Sequence, residues 1–399
     1  MTMPKTVRHI NEIRTLEALL KHGPMSRADI ARTLDVTRAT ASSLVSSLVE
    51  GGFLFEDSDS GEERPNRTGR PSTRVALKPQ HAIFLGAYMT VGRITLAAVD
   101  LVANVIAVDV MDYEPRLADA AHVAKLMAAR IKTFIARLPS PDRINGLNIA
   151  VPGLVDLEGT IIRAPMLGWK DISFRPLIQA ALPEIEVSVL DNDANAFAFE
   201  ELYLGKRSEL REAIYVFIDD GVGGCLVCNG EILRGFNGYA GEIGHIIVGE
   251  EGYFSPTAVK GTLESFVARQ AVLARYRSLG GSAASISDFI KDLNEGSEAA
   301  RATLKDWSYY LGRGIATLTS MLNPECIILG GAVARLYPLS EQDVLKSMRD
   351  HLMPKSKEPQ IKRSNMGVEA PAIGAARMLH RDFFMGGPDK GGAKSSAEE

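Results

Sequence analysis

Carboxylate, amide and imidazole side chains occur in two short motifs of this chain of 399 residues. Asn192 and Asp193 follow a short apolar run, and Glu242 and His245 lie in the glycine-rich motif GEIGH, with Glu264 further along. Together these side chains supply the donors and acceptors that the hydroxyl groups of a sugar require. A second interpretation of Asn192 and Asp193 is a helix N-cap, because both residue types accept hydrogen bonds from the first backbone N–H groups of a helix.

The pair Cys225 and Cys228 forms a C-x-x-C motif, which raises the alternatives of redox chemistry or half of a zinc site. The segment Tyr215–Asn229 is predicted to form two strands around a glycine turn. Residues three apart on a strand point to opposite faces, which is poor geometry for a shared metal. We therefore predict buried structural cysteines. With only three cysteines in the chain, a disulfide framework is implausible and a cytoplasmic location is predicted.

The body that positions these residues alternates strands and helices from Ile83 onward, which is typical of an α/β fold. The predicted strands are Ile83–Ala87, Ile94–Asp100, Val105–Val110 and Ile144–Val151, with a helix at Val123–Leu138. In front of the body, apolar spacing predicts three helices that form a helix-turn-helix. Ser26 and Thr37 are the predicted N-caps of its second and third helices, which are separated by a turn of about three residues.

The third of these helices is predicted to enter a DNA major groove, because one arginine and several small hydroxyl side chains begin its outer face: Arg38, Thr40, Ser42 and Ser43. Two strands, Phe53–Glu56 and Thr73–Leu77, then predict a wing. Arg67 and Arg70 lie in the loop between them, and Arg70 is flanked by glycine and proline, which suits a narrow minor groove. Helix-turn-helix patterns also occur in proteins that do not bind DNA.

Composition excludes several classes of protein. Apolar residues make up 46% and charged residues 24%, which is typical of a globular protein with a sizeable core. No apolar run approaches the roughly 20 residues that span a bilayer, and no signal peptide is apparent. Residues 1–80 carry a net charge of +2 and the remainder −6, so the modest basic excess lies at the front.

The motifs of the body, taken as an ordered set, resemble those of the ROK family (repressors, open reading frames and sugar kinases). They are PGLVD at residues 152–156, DNDANA at 191–196 and GYAGEIGH at 238–245, and the family's repressors also carry a Gly-Arg-Pro like residues 69–71. The resemblance covers residues 5–385. It implies an N-terminal winged helix-turn-helix followed by an actin-like body of two ribonuclease-H-like lobes. The expected divisions are 1–80 for the DNA-binding domain, 81–190 with a returning helix 371–385 for the first lobe, 191–370 for the second lobe, and 386–399 for a flexible tail.

The same resemblance implies a sugar site and a lost metal site. The expected sugar contacts are Asn192, Asp193, Glu242, His245 and Glu264. Met166 stands where the family has an asparagine that donates to a sugar hydroxyl, so one polar contact is missing. The family's three zinc-binding cysteines are replaced here by Ser255, Thr257 and Thr262. A neutral hydroxyl is a poor zinc ligand, so no metal is predicted.

The phosphate-binding motifs of the kinase members are altered. Tyr88 and Thr90 replace the Asp and Gly of an Asp-x-Gly-x-Thr motif, and Asp219 and Asp220 stand at the second phosphate loop. A unit-charge repulsion at about 5 Å costs on the order of 3 kcal/mol at an effective dielectric near 20, so these carboxylates disfavour a polyphosphate. A bound Mg²⁺ would reverse that sign, and Asp193, the general base in the family's kinases, is retained. An ATP-dependent sugar kinase with a DNA-binding arm is therefore the alternative.

We predict a sugar-responsive DNA-binding transcriptional regulator, a repressor of carbohydrate uptake or catabolism genes, whose body is not catalytic and needs no cofactor. Its predicted partners are a double-stranded DNA operator and a monosaccharide or sugar phosphate effector. Because palindromic operators match two-fold symmetry, we expect a homodimer or homotetramer. Control by a protein partner instead of a sugar is a third hypothesis.

Overall fold

The computed structural model describes residues 5–57, 73–114, 119–188, 190–203, 209–254 and 259–386. These residues form a winged helix and two α/β lobes. None of the helices in these ranges combines the length and the apolar composition needed to cross a bilayer.

The winged helix contains three helices and a three-stranded antiparallel sheet in which the last strand lies between the other two. Its elements are α1 (Lys5–His22), β1 (Met25–Ser26), α2 (Arg27–Leu34), α3 (Arg38–Glu50), β2 (Leu54–Asp57) and β3 (Arg74–Leu77). The apolar stripes of α2 and α3 are buried as their spacing predicts: Ile30, Ala31, Leu34, Ala41, Leu44, Val45 and Leu48.

Side-chain caps determine where α2 and α3 begin. Ser26 Oγ accepts a hydrogen bond from the Asp29 backbone N–H at 3.2 Å, and the Asp29 carboxylate accepts one from the Ser26 N–H at 3.3 Å. This reciprocal pair is a capping box. Thr37 Oγ1 accepts from the Thr40 N–H at 3.2 Å. Between the helices Asp35 adopts a φ of 56°, which ends α2 and begins the predicted three-residue turn.

The first lobe is built on a five-stranded sheet. The elements of this lobe are β4 (Ile83–Thr90), β5 (Arg93–Asp100), β6 (Val105–Asp112), α4 (Ala120–Ile135), β7 (Ile144–Val151), β8 (Leu154–Val155), β9 (Ile161–Ala164), β10 (Trp169–Ile172), α5 (Phe174–Ala181) and β11 (Asp191–Asn192). The strand order in the five-stranded sheet is β11-β7-β4-β5-β6. Strands β4 to β6 form an antiparallel meander, whereas β7 and β11 run parallel to β4. Since Asp191 and Asn192 pair with β7, this sheet extends past the lobe boundary at residue 190 that the sequence predicted.

The second lobe repeats the same sheet topology. Its elements are α6 (Asp193–Leu202), β12 (Ala213–Ile218), β13 (Val222–Cys228), β14 (Glu231–Ile232), α7 (Leu263–Val267), α8 (Arg269–Ser278), α9 (Ile286–Asn294), α10 (Glu298–Leu322), β15 (Cys326–Gly330), α11 (Tyr337–His351) and β16 (Gln360–Arg363). The strand order in its sheet is β14-β13-β12-β15-β16. Again a meander is followed by two parallel strands. Cys225 and Cys228 both lie on β13, where the first is buried and the second half-buried.

The last helix, α12 (Ala370–Gly386), returns from the second lobe and packs against β4, β5 and β7 of the first. It also packs along α6 and touches α1 of the winged helix. Apolar residues of the winged helix, the first lobe and α12 consequently share one continuous core, which joins the winged helix to the body.

Candidate functional site

A cavity of about 510 Å³ opens between the lobes, beside the carboxyl ends of β4, β7, β11 and β12. Open α/β sheets bind ligands at this end of their strands, and a volume of roughly 300–1,000 Å³ is usual for a small-molecule site. The cavity brings together all five residues that the sequence predicted as sugar contacts: Asn192, Asp193, Glu242, His245 and Glu264.

Asn192 is held at the start of α6 by three hydrogen bonds. Its Oδ1 accepts from the Ala194 N–H at 2.8 Å, its Nδ2 donates to the Gly153 carbonyl at 2.7 Å, and its backbone N–H donates to Asp191 Oδ1 at 2.8 Å. Both interpretations of this residue are therefore compatible, because it caps the helix and also lines the cavity. A side-chain amide has two N–H groups and two acceptor positions, so it retains capacity for a ligand.

Asp193 is 8% exposed, and its Oδ2 accepts a hydrogen bond from the Tyr88 hydroxyl at 3.1 Å. Burial raises the pKa of Asp193 to about 7, against the lowering effect of the Tyr88 hydrogen bond. Burial also raises the pKa of Tyr88 well above its ordinary value, so the phenol stays protonated and donates. One carboxylate oxygen of Asp193 is thus occupied by the protein itself.

The wall contributed by the second lobe carries Glu242, His245 and Glu264. A 3-10 turn at Ile243–His245 places Glu242 Oε2 3.6 Å from His245 Nδ1, which is longer than a hydrogen bond. Glu264 accepts a hydrogen bond from the Val222 N–H at 3.0 Å. Burial raises the pKa of Glu242 and of Glu264, because a partly dehydrated carboxylate is less stable when charged.

Asp219 and Asp220 line a second part of the cavity, its ion-paired end, which Tyr88 joins to Asp193. Arg269, at the start of α8, forms ion pairs with both carboxylates; its Nη1 lies 3.0 Å from Asp220 Oδ1. Its backbone N–H also donates to the Asp219 carbonyl at 2.8 Å. Burial lowers the pKa of Arg269 and raises that of Asp220. Since one guanidinium serves two carboxylates, this end offers no spare positive charge to a phosphate.

Arg269 and the hydroxyl contact of Tyr88 are the features that sequence reasoning missed. Tyr88 precedes Asp193 by 105 residues, and Arg269 follows Asp219 by 50, so no local motif joins either pair. The only sequence signal for a cationic partner such as Arg269 was the pair of adjacent carboxylates, Asp219 and Asp220, with no lysine or arginine close to them in the sequence. Met166 lines the cavity, together with Arg163 and Tyr239, which the sequence did not indicate.

The segment that follows His245 is held by backbone pairing and aromatic packing. Val248 and Gly249 both donate to the Gly261 carbonyl, at 2.8 and 3.1 Å. Phe266 stacks on Tyr310 with ring centroids 3.6 Å apart, and the ring of Tyr253 packs edge-on against both. These contacts hold the described part of the segment by backbone pairing and side-chain packing.

Three hydroxyl residues replace the zinc-binding cysteines of the family, and the structure describes one of them, Thr262. Thr262 is buried, and its Oγ1 donates to the Val259 carbonyl at 3.4 Å. Ser255 and Thr257 lie outside the described residues. Within the described ranges, no three His, Cys, Asp or Glu side chains come together in a way that would hold a metal ion.

Four of the six predicted DNA-contacting residues lie on α3. Arg38 and Ser43 are exposed, Thr40 and Ser42 are half-buried, and the Thr40 hydroxyl lies 3.0 Å from that of Thr37. Two further residues of α3 that the sequence analysis did not select, Ala39 and Ser46, are exposed as well. Arg67 and Arg70, the predicted wing contacts, lie outside the described residues.

A winged helix followed by two lobes of identical sheet topology, with a cavity between them that several ionisable residues line, defines a winged-helix protein with an actin-like, sugar-kinase-type body. The model of the ROK family matches residues 93–382, and the chain belongs to that family. A MarR family model matches residues 8–64, which include most of α1 and all of α2 and α3.

Three similar proteins illustrate both branches of the family. A xylose repressor of Bacillus spizizenii is 26% identical over 383 residues, covering 95% of this chain and 97% of the repressor. A glucokinase of Halalkalibacterium halodurans is 31% identical over 253 residues, covering 59% of this chain and 76% of the kinase. The crystal structure of a ROK family transcriptional regulator, described as a homologue of the Escherichia coli Mlc protein, superposes with a TM-score of 0.78 at 23% identity. That match covers 95% of this chain and 97% of the regulator.

Proposed function

We propose that this chain is a DNA-binding repressor of genes for carbohydrate uptake or catabolism, and that a sugar in the interlobe cavity controls it without being phosphorylated. The observation that carries the non-catalytic part of the proposal is the ion-paired end of the cavity. Arg269 neutralises part of the charge of Asp219 and Asp220, and Tyr88 donates to Asp193. Phosphoryl transfer depends on cations that neutralise the transferring phosphate, and this end supplies none in excess.

In this proposal the effector is a monosaccharide or sugar phosphate held by Asn192, Asp193, Glu242, His245 and Glu264. Support comes from their chemistry and convergence: an amide, three carboxylates and an imidazole on the walls of one cavity match hydroxyl groups that both donate and accept. Binding at a cleft between two lobes favours one lobe arrangement over another only if the sugar binds the two arrangements with different affinities. A change in the arrangement of the lobes would then reach the winged helix through the apolar core that it shares with the first lobe and α12.

The near full-length similarity to a xylose repressor supports the repressor function, and it makes D-xylose the first sugar to test. The experiment is a thermal-shift screen of D-xylose, D-glucose and their phosphates, followed by binding to duplex DNA selected by the protein from a random pool. A sugar at 100 times its Kd adds about 2.7 kcal/mol of stability, which a melting curve detects. We expect one sugar to raise Tm and to change the DNA affinity. If every sugar leaves both unchanged, the proposal fails.

For the DNA contact we propose that α3 enters the major groove, with Arg38 as the principal base-reading side chain. Arg38→Ala should weaken binding to the selected duplex by about 1–3 kcal/mol if the arginine contacts a guanine in bidentate fashion. Arg32→Ala is the matched control, because Arg32 is an exposed arginine on the neighbouring helix that pairs with Asp29. Equal losses in the two variants would indicate that Arg38 contributes only non-specific charge.

A sugar kinase that carries a winged helix is the second candidate. Asp193 favours it, because a carboxylate with a pKa near 7 is suited to general-base catalysis, and the glucokinase relative favours it as well. Sugar-dependent ATP hydrolysis that is present in the wild type and lost in Asp193→Asn would establish the kinase and remove the proposal above.

We also propose a homodimer or homotetramer, to be tested by sedimentation, because two-fold operators require matching symmetry.

A further inference from the structure

Helix α6 connects the cavity to the region beneath the winged helix. It begins at Asn192 and Asp193 on the cavity wall and ends ten residues later, beside α12. At 1.5 Å per residue, the helix spans roughly 15 Å. A ligand contact at its first turn therefore acts on one end of a rigid element whose other end lies far outside the cavity.

Helices α6 and α12 pack too closely to slide past one another. A Cβ atom added to Gly374 of α12 would lie 1.8 Å from the Ala196 carbonyl oxygen of α6. A buried ion pair reinforces the contact, with Arg377 Nη1 2.7 Å from Glu200 Oε2. Because close-packed elements shift between discrete arrangements and do not deform continuously, the two helices should move as a pair.

His380 of α12 joins three elements. It is fully buried; its Nε2 lies 2.9 Å from the Leu101 carbonyl oxygen, and its Nδ1 lies 2.8 Å from the hydroxyl of Tyr203 at the end of α6. A carbonyl only accepts, so Nε2 carries the proton and Nδ1 accepts from Tyr203. Burial lowers the pKa of His380 to about 4, which keeps the ring neutral and its tautomer constant at physiological pH.

The next turn of α12 meets the winged helix. The ring of Phe383 lies 5.3 Å from that of Phe84 and 6.4 Å from that of Phe53, measured between centroids. Phe53 is tied to the end of α3, because its backbone N–H donates to the Leu48 carbonyl at 2.9 Å. It also packs on His81, with centroids 3.9 Å apart. The DNA-reading helix thus ends at an aromatic contact with α12.

We propose that α6 and α12, joined by the Tyr203–His380 hydrogen bond, couple the sugar cavity to α3 through the contact of Phe383 with Phe53. This inference rests on the proposed function, since it assigns the route by which the sugar controls DNA binding. The route begins at Asp193, follows α6 to Tyr203, crosses to His380 and reaches the base of α3. Tyr203 and His380 are positioning residues in this scheme, because neither lines the cavity nor belongs to the DNA-reading face.

The test measures the ratio of DNA affinities with and without sugar in full-length variants. The probe is D-xylose or D-glucose, whichever raises Tm in the wild type, together with the selected duplex. Tyr203→Phe keeps the ring and removes the hydroxyl that bonds to His380. We expect the sugar Kd and the sugar-free DNA affinity to stay within about 2-fold of wild type, while the ratio falls at least 5-fold, a coupling change of the usual size.

Tyr337→Phe is the matched control, because the Tyr337 hydroxyl also makes one hydrogen bond, to Glu341 at 3.1 Å, but within the second lobe. Its ratio should equal that of the wild type. A second variant, Phe383→Leu, should lower the ratio while preserving sugar binding. Retention of the wild-type ratio in Tyr203→Phe would overturn the inference, as would an equal loss in Tyr337→Phe. A wild type that binds sugar but shows no change in DNA affinity would remove the proposed function itself.

Discussion

The two ends of the interlobe cavity contain similar side chains in different electrostatic states. At one end Glu242 and His245 lie 3.6 Å apart without a hydrogen bond between them, and the Asp193 carboxylate is close to hydrogen-bond donors but has no cation paired with it in the described residues. At the other end Asp219 and Asp220 share the guanidinium of Arg269. Both ends are rich in carboxylates, so composition alone does not separate them.

The difference shows that the hydrogen-bonding state of the polar groups in a cavity indicates where a ligand binds. Buried polar groups require partners, and those that the protein already satisfies have little to offer a ligand. Groups that keep spare donors and acceptors are costly in the empty state and gain hydrogen bonds when a ligand binds. We propose that the ligand binds at the end near Glu242 and that the end near Arg269 holds a structural ion pair. Four predictions test that assignment.

The largest expected effect is a loss of sugar binding in Asp193→Asn. A hydrogen bond to a charged group contributes about 1.5–3 kcal/mol, so affinity should fall roughly 10- to 100-fold, as measured by calorimetry. The affinity for DNA without sugar should be unchanged, because Asp193 lies far from α3. The matched control is Asp219→Asn at the ion-paired end, which should bind sugar nearly as well as the wild type. Equal losses of sugar affinity in the two variants would show that the two ends of the cavity do not differ in their contribution to sugar binding.

The next effect is on stability. Arg269→Ala leaves two neighbouring carboxylates without their cation, and because the site is partly exposed we expect a loss of about 1–3 kcal/mol in the free energy of unfolding. The control Arg130→Ala should lose less, since its partner Asp109 keeps Arg137 at 3.5 Å. Burial already raises the pKa of Asp220, and loss of the Arg269 charge disfavours its ionised form further, so the deficit should grow from pH 5 to pH 8. Urea unfolding at both pH values measures it, and a deficit independent of pH would argue against carboxylate repulsion.

The pH dependence of sugar affinity should be smaller. Asp193 has a pKa raised from 3.8 to about 7 in the empty site. A sugar hydroxyl that donates to the ionised carboxylate lowers this pKa, so affinity should increase as pH rises from 6 to 8 and level off above that range. Each pKa unit of lowering corresponds to up to about 10-fold in affinity. Titration calorimetry of a neutral sugar at several pH values measures the trend, which should be absent in Asp193→Asn.

The smallest expected effect is that of metal removal. Treatment with a chelator should leave Tm and sugar affinity unchanged, because backbone hydrogen bonds and the packing of Phe266 on Tyr310 hold the segment beside His245. Elemental analysis of protein prepared without chelator is the direct measurement. One zinc per chain would contradict the prediction that no metal is bound.

Much of the fold could be predicted because its signals are local. Ser26 and Thr37 cap the predicted helices, and the strands predicted from apolar runs at Ile83–Ala87 and Ile144–Val151 are present in the first lobe. The boundary between the two lobes was harder to predict, because strand pairing decides it. The strand Asp191–Asn192 is too short to show an apolar pattern, and it belongs to the first sheet only because it pairs with β7.

The sequence by itself determined the order of the units, the helix caps and the types of the candidate binding residues, since those depend on neighbours along the chain. Only the tertiary structure decided which carboxylates are satisfied. Tyr88 reaches Asp193 across 105 residues and Arg269 reaches Asp219 across 50. Coulomb and hydrogen-bond energies depend on distance in space, and the folded chain sets that distance. The two ends of the cavity therefore differ for a reason that the order of residues does not contain.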